Sequence, residues 1–156
     1  MTPQERFIAR YGDPSKDKAT FEREWMCVLT YPQDIRDKIP SLGKSLYCNK
    51  DFVEKYLRFL RLLIQRGLHK EINSNDECFN VRFIRGTTDK LSTHSWAMAV
   101  DFNPKDNPLG ESRLDSIKAG RTPFTEQFQQ AARDAGFTAG IDFKRKDGMH
   151  LELPCP

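Results

Sequence analysis

A chain of 156 residues with 38% hydrophobic side chains can bury an ordinary core as one domain, without help from disulfides or oligomerisation. Its 25 basic and 22 acidic residues leave a net charge of +3, far too mild to mark a nucleic-acid binder. No apolar run approaches the ~18 residues of a membrane span, and the polar start Met1-Thr2-Pro3-Gln4-Glu5-Arg6 lacks the apolar stretch of a secretory signal.

Residues 1–50 carry turn signals at Asp13-Pro14, Tyr31-Pro32 and Ile39-Pro40, and short helices are predicted at 3–10 and 18–29. The clearest element is a helix at about 51–66, with Asp51 and Glu54 as a capping-box-like start and Gly67 as its stop. Phe52, Val53, Tyr56, Leu57, Leu60, Leu63 and Ile64 recur at helical spacing, with charged residues on the opposite side, so this stripe is core. His69, just past the helix end, reads as a solvated residue rather than a ligand. Strands are expected at 79–85, 97–103 and 149–153, with a weaker one near 137–143, and a second helix fits 124–135. The stretch 103–123, rich in Pro, Gly, Asn and charge, is either an active-site rim or lid or a disordered surface excursion. Together these elements predict an α+β fold, a small antiparallel sheet with helices packed on one side. The expected organisation is a single domain over 1–156, with a motif-bearing core at about 80–153 and a helical, loop-rich part at 1–50. Cys27, Cys48, Cys78 and Cys155 contain no Cys-x-x-Cys, which argues against a zinc ribbon and for free thiols; disulfide pairing is the alternative.

The chemistry is concentrated in two short stretches. His94 and Asp101 lie in Ser92-Thr93-His94-Ser95-Trp96-Ala97-Met98-Ala99-Val100-Asp101, and Asp147-Gly148-Met149-His150-Leu151-Glu152 answers them near the C-terminus. Two imidazoles and a carboxylate suffice for an open zinc site, and a further carboxylate three residues before the second histidine could take the proton of an attacking water. Read as a strand, 97–102 puts Ala97, Ala99 and Asp101 on one face; 149–153 puts His150 and Glu152 on one face and Met149, Leu151 and Leu153 on the other. If the strands are neighbours, Asp101 and His150 share a surface, and the small Ala97 and Ala99 leave room for substrate. Ser92 either orients its loop or binds substrate. Glu152 is expected to support the site from behind His150, and is the rival to Asp147 as the base. His-Glu-x-x-His, a Gly-rich phosphate loop and Gly-x-Ser-x-Gly are all absent, so thermolysin-like, nucleotide-dependent and serine-hydrolase chemistry have no support.

The first stretch resembles the Ser-x-His-x-x-Gly-x-Ala-x-Asp motif of the M15 family of zinc peptidases, matched by Ser92, His94, Ala99 and Asp101. The second is similar to the family's Asp/Glu-x-x-His segment, matched by Asp147 and His150. The resemblance spans about 80–153 and departs at two places: Ala97 stands where the family usually has Gly, and Ala139 where a Trp often follows Ala135-Gly136-Phe137. It implies that His94, Asp101 and His150 bind Zn2+ and that Asp147 is the catalytic carboxylate. It also implies a strand-end arginine, Arg85, that stabilises the developing oxyanion or holds a substrate carboxylate, with Arg82 as its competitor. Asn103-Pro104 and Asn107-Pro108 look like the phage and VanY-like branch. The expected activity is that of a peptidoglycan peptidase cutting a stem peptide, of the phage L-alanyl-D-glutamate endolysin type. Its nearest variant is a D-Ala-D-Ala carboxypeptidase; the alternative from another class is a non-catalytic, zinc-stabilised wall-binding or virion module. The partner is then the bacterial peptidoglycan stem peptide, with no nucleic acid or membrane span involved and a monomer expected. Such a protein is made in the host cytoplasm without a signal peptide and acts on the wall after release or from a virion.

Overall fold

The computed structural model describes residues 1–156. Helix α1 (Pro3–Tyr11) opens on a capping box in which Thr2 accepts from the Glu5 amide and Glu5 accepts from the Thr2 amide. Helix α2 (Lys18–Trp25) stops early and feeds directly into β1 (Met26–Thr30), so the last third of the helix expected at 18–29 is strand. Helix α3 (Gln33–Lys38) leads to β2 (Ser45–Asn49), which pairs antiparallel with β1 and sets Cys27 opposite Cys48. All four cysteines are free.

Helix α4 (Val53–Gln65) is the element expected from the apolar stripe, and it buries Tyr56, Phe59, Leu60 and Leu63. Each fully buried side chain of this size stabilises the fold by roughly 1.5–3 kcal/mol. Gly67 ends the helix as expected, in the left-handed region at φ 71°. The start differs from expectation. A 3-10 turn over Lys50–Phe52 precedes the helix, and Asn49 caps that turn by accepting from the Asp51 amide. Asp51 instead takes the Arg10 guanidinium at 2.9 Å and the Tyr11 hydroxyl at 2.8 Å. A long-range ion pair has displaced the local cap.

The second sheet orders β3 (Ala99–Asp101), β5 (His150–Glu152) and β4 (Thr138–Ala139) as β3-β5-β4, both pairings antiparallel. Val100 and Leu151 face each other on its buried side, and Phe102 extends that side to Tyr56 of α4, ring centroids 6.5 Å apart. Helix α6 (Glu126–Asp134), capped by Thr125, closes the layer through Phe128 against Phe59 at 5.9 Å. The fold is thus α+β, with two small antiparallel sheets and helices covering the apolar face of the second.

Three strand expectations are corrected. Residues 79–85 form no strand beyond a single bridge from Phe83 to Leu91. The strand expected at 137–143 shrinks to Thr138–Ala139 and then turns into a 3-10 segment, Gly140–Asp142. Ala97 is not in β3: it ends the 3-10 turn Thr93–Trp96 in the left-handed conformation, at φ 52° and ψ 40°. That conformation costs an L-residue roughly 1–2 kcal/mol, which is the physical reason a glycine suits this position. Ala97 therefore leaves no space beside the candidate ligands; it is wholly buried in the core. Met149, expected on the apolar side, lines the site cavity instead. The 103–123 stretch is not bare loop: it contains helix α5 (Arg113–Lys118), is pinned by Asn107, which bonds the Asn103 carbonyl and the Phe124 amide, and places Leu109 at the rim of the site cavity.

Candidate metal centre

Capping and packing from the N-terminus hold the turn that carries His94. Ser92 caps it by accepting from the His94 amide at 3.3 Å. Phe7 of α1 stacks on Trp96 at 4.9 Å, and the Trp96 indole donates to the Gly12 carbonyl at 2.9 Å. Gln4 adds a third tie through the Leu91 amide at 2.7 Å. The N-terminal helix thus clamps the histidine turn, an assignment with no local signal in the sequence.

His94 is fully buried, and its Nδ1 donates to the Cys78 carbonyl at 2.8 Å. That bond orients the ring so that Nε2 faces Asp101 Oδ1, 3.3 Å away. Asp101 and His150 are direct partners across β3 and β5, so their side chains share a face, and His150 Nδ1 lies 3.1 Å from Asp101 Oδ1. The other ring nitrogen of His150 meets Glu152 Oε1 at 2.9 Å, while Glu152 Oε2 accepts from the Thr93 hydroxyl at 3.0 Å. Glu152 therefore fixes His150 from behind, and Thr93 ties the two motif stretches together.

One ligand atom each from His94, Asp101 and His150 lies within 4.8 Å of the others, and all three residues are buried. Burial alone would raise the Asp101 carboxyl, but bonds from His150 and His94 hold it well below the usual carboxylate range. Burial would likewise lower His150, yet Asp101 and Glu152 lift it to about 10. Two carboxylates converging on one imidazole make a locus built for positive charge. Borderline nitrogen and oxygen donors, with ring nitrogens oriented by second hydrogen bonds, match the ligand chemistry of a divalent transition metal. These residues could hold one. His69, in a 3-10 turn over His69–Glu71, is not among them.

Asp147 approaches from the turn before β5. Its amide donates to the Gly140 carbonyl at 2.9 Å, its carbonyl accepts from the His150 amide at 3.0 Å, and Gln129 of α6 holds the next carbonyl, Gly148, at 3.2 Å. The backbone is fully engaged, but Oδ1 is buried without a hydrogen-bond partner. Burial pushes this carboxyl above its ordinary value; His150 and Arg82 nearby oppose the rise, and the Asp101 carboxylate adds to it. A buried, unpaired carboxylate oxygen is costly to fold around, which marks it for a function rather than for stability.

Gly140 makes this turn possible, although no motif drew attention to it. A Cβ there would run into the Asp147 carbonyl and come within 3.0 Å of the His150 Cβ and 3.1 Å of the Asp147 Cβ. Gly140→Ala should destabilise the protein by about 1–3 kcal/mol as an overpacked site and reduce activity by moving Asp147. Thermal melting and turnover measured together check this, and unchanged values for both would show that the turn tolerates the methyl.

These groups border a cavity of about 250 Å³ whose walls include Ser92, Asp101, Asp147, His150 and Glu152. Arg82, Arg85 and Arg145 line it as well, so every candidate ligand, catalytic or substrate-binding residue except the wholly buried His94 borders the cavity, whereas Ala97 and Ala99, expected to leave room for substrate, are buried away from it. Sequence reasoning passed over Arg145, Thr93, Gly140 and Glu77. Thr93 and Glu77 gave no pattern signal; Arg145 sat in the charged run Lys144-Arg145-Lys146, which reads as solvated surface.

An α+β scaffold that presents two imidazoles, a carboxylate and an unpaired second carboxylate at one cavity has the parts of a hydrolytic site. Residues 85–153 match the family model described as D-alanyl-D-alanine carboxypeptidase, and this stretch contains every group of that set. The match, over somewhat less than half of the chain, supports an M15-family peptidase. No curated protein and no solved structure matches the chain.

Proposed function

We propose that this protein is a zinc-dependent peptidoglycan peptidase that cleaves a stem-peptide bond, of the phage L-alanyl-D-glutamate endopeptidase type. The observation that carries the reading is the convergence of His94, Asp101 and His150 next to the unpaired buried oxygen of Asp147. His94 Nε2, an Asp101 oxygen and His150 Nδ1 would hold the zinc, which supplies Lewis acidity and brings the pKa of water towards ~7. Asp147 takes the proton from the attacking water and delivers it to the leaving amine. Glu152 keeps His150 in the tautomer that frees Nδ1. Ser92 holds the His94 turn and borders the substrate cavity. The chain acts as one domain and as a monomer, supported by one hydrophobic cluster running from Phe7 to Leu153 and by a site drawn from a single chain.

The cationic wall of the cavity suits a substrate with free carboxylates, as stem peptides have. Arg85, exposed at the mouth, binds such a carboxylate by two parallel hydrogen bonds. Arg85→Lys keeps the charge but loses the planar fork, and KM should rise about tenfold while the melting temperature barely moves. Unchanged KM in Arg85→Ala would remove this role.

A D-Ala-D-Ala carboxypeptidase is the second reading, favoured by the description of the matching family model. Incubating zinc-loaded protein with purified peptidoglycan and analysing the fragments by mass spectrometry tests both. New N-terminal D-Glu ends support the endopeptidase, and free D-Ala supports the carboxypeptidase. No release from any wall type, with zinc bound, would leave a zinc-stabilised binding or virion module.

A further inference from the structure

Glu77 belongs to no motif, yet its carboxylate ends beside the candidate ligands. Its Oε2 stands 3.6 Å from His94 Nε2 and 3.0 Å from Arg82 Nη2, while Oε1 accepts from the Asn80 amide. The Arg82 backbone is tied to the same turn as His94: its amide donates to Ser95 Oγ at 3.2 Å, and its carbonyl accepts from Ser95 Oγ at 3.0 Å and the Ser92 amide at 2.9 Å. Arg82 is thus registered to the histidine turn through both backbone and side chain. Arg82 lines the cavity with Asp101, Asp147 and His150, and its charge reaches Asp147. Arg85 lines the same cavity but is exposed.

Building on the peptidase reading above, we propose that Glu77 is a positioning residue whose carboxylate holds the Arg82 guanidinium beside His94. There Arg82 donates hydrogen bonds to the oxygen of the scissile carbonyl as it gains negative charge. The physical reason is preorganisation. A long arginine side chain samples many rotamers, and a donor aimed in advance at developing charge stabilises the transition state without reorganising during the reaction. The two arginines then divide the work, Arg82 at the reacting carbonyl and Arg85 at a remote carboxylate.

The test uses the zinc-loaded full chain with a synthetic stem peptide, reading kcat, KM and zinc content for Arg82→Ala, Glu77→Ala, Glu77→Gln and the Glu77→Ala/Arg82→Ala pair. Arg82→Ala should lower kcat by about 10²–10³, the range for a lost oxyanion donor, with KM within about threefold. Glu77→Ala should lower kcat by about tenfold to a hundredfold, and Glu77→Gln by less, because the amide oxygen still accepts from Arg82. The double variant should be no slower than Arg82→Ala alone, since Glu77 acts through Arg82. Affinity for a phosphinate peptide that mimics the tetrahedral state, read by calorimetry, should fall in step with kcat. If the two losses multiply, if Glu77→Ala loses zinc, or if its kcat is unchanged, the inference is overturned. Should Glu77→Ala not fold, the nearly isosteric Glu77→Gln carries the comparison, and its full kcat and analogue affinity overturn the inference. A wild type that turns over no stem peptide overturns the peptidase reading and this inference together; an active wild type with an unaffected Glu77 variant overturns this inference alone.

Discussion

Alanine at His94, Asp101 or His150 should remove stoichiometric zinc and abolish peptidoglycan hydrolysis, whereas His69→Ala should leave both intact. The three ligand atoms converge within 4.8 Å in a buried pocket, and removing one leaves two donors where a stable site needs at least three. The loss should also appear in stability. The ligands come from the 93–96 turn and from both partners of a three-residue strand pairing, so a bound ion clamps elements that are otherwise held by few hydrogen bonds. A ligand present at a thousandfold its Kd stabilises the native state by about 4 kcal/mol, and chelation should lower the melting temperature accordingly. The experiment pairs elemental analysis of zinc with thermal melting, before and after chelator. Full zinc occupancy in a His94→Ala/His150→Ala double variant would refute the assignment.

The second large effect separates metal binding from catalysis. Asp147→Asn is nearly isosteric and keeps the backbone bonds to Gly140 and His150, so the protein should fold and take up zinc normally. The amide cannot accept a proton at neutral pH, and hydrolysis should fall by about 10²–10⁴, the range for a lost general base. Removing a buried carboxylate that lacks a partner should also raise the melting temperature slightly, because its desolvation no longer has to be offset. Glu152→Gln is the matched control. Its two oxygens are already committed to His150 and Thr93, so this change should loosen zinc affinity and reduce turnover less than Asp147→Asn does. Zinc content and turnover on both variants decide between them: an active Asp147→Asn beside a dead Glu152→Gln would move the base to Glu152.

Local pattern was enough wherever a segment's periodicity matches the structure it adopts. The thirteen-residue α4 shows a full apolar stripe, and α6 shows one bounded by Thr125 and Gly136, so both were legible with their buried faces. The cluster of His94, Asp101 and His150 was legible as a candidate metal site for a different reason. Its residue types and spacings carry the chemistry directly, and the pairing of Asp101 with His150 follows once β3 and β5 are neighbours. The strands themselves were blurred because three residues give too short a run to show alternation, and Ala97 and Met149 were placed wrongly at their ends for that reason. The left-handed Ala97 is a turn residue whose sequence neighbours read equally well as strand.

What the sequence determined by itself was therefore the α+β class, the two packing helices and the residues able to bind a metal, all of which depend on side-chain type and near-neighbour spacing. Only the tertiary structure decided how those groups are held. Phe7 and Gln4 clamp the His94 turn from the far end of the chain, Thr93 meets Glu152 across 59 residues of sequence, and Glu77 meets both Arg82 and His94. Gly140 makes way for the Asp147 turn. Each of these depends on which distant backbone approaches, and a single polar or small residue has no periodicity to announce its partner.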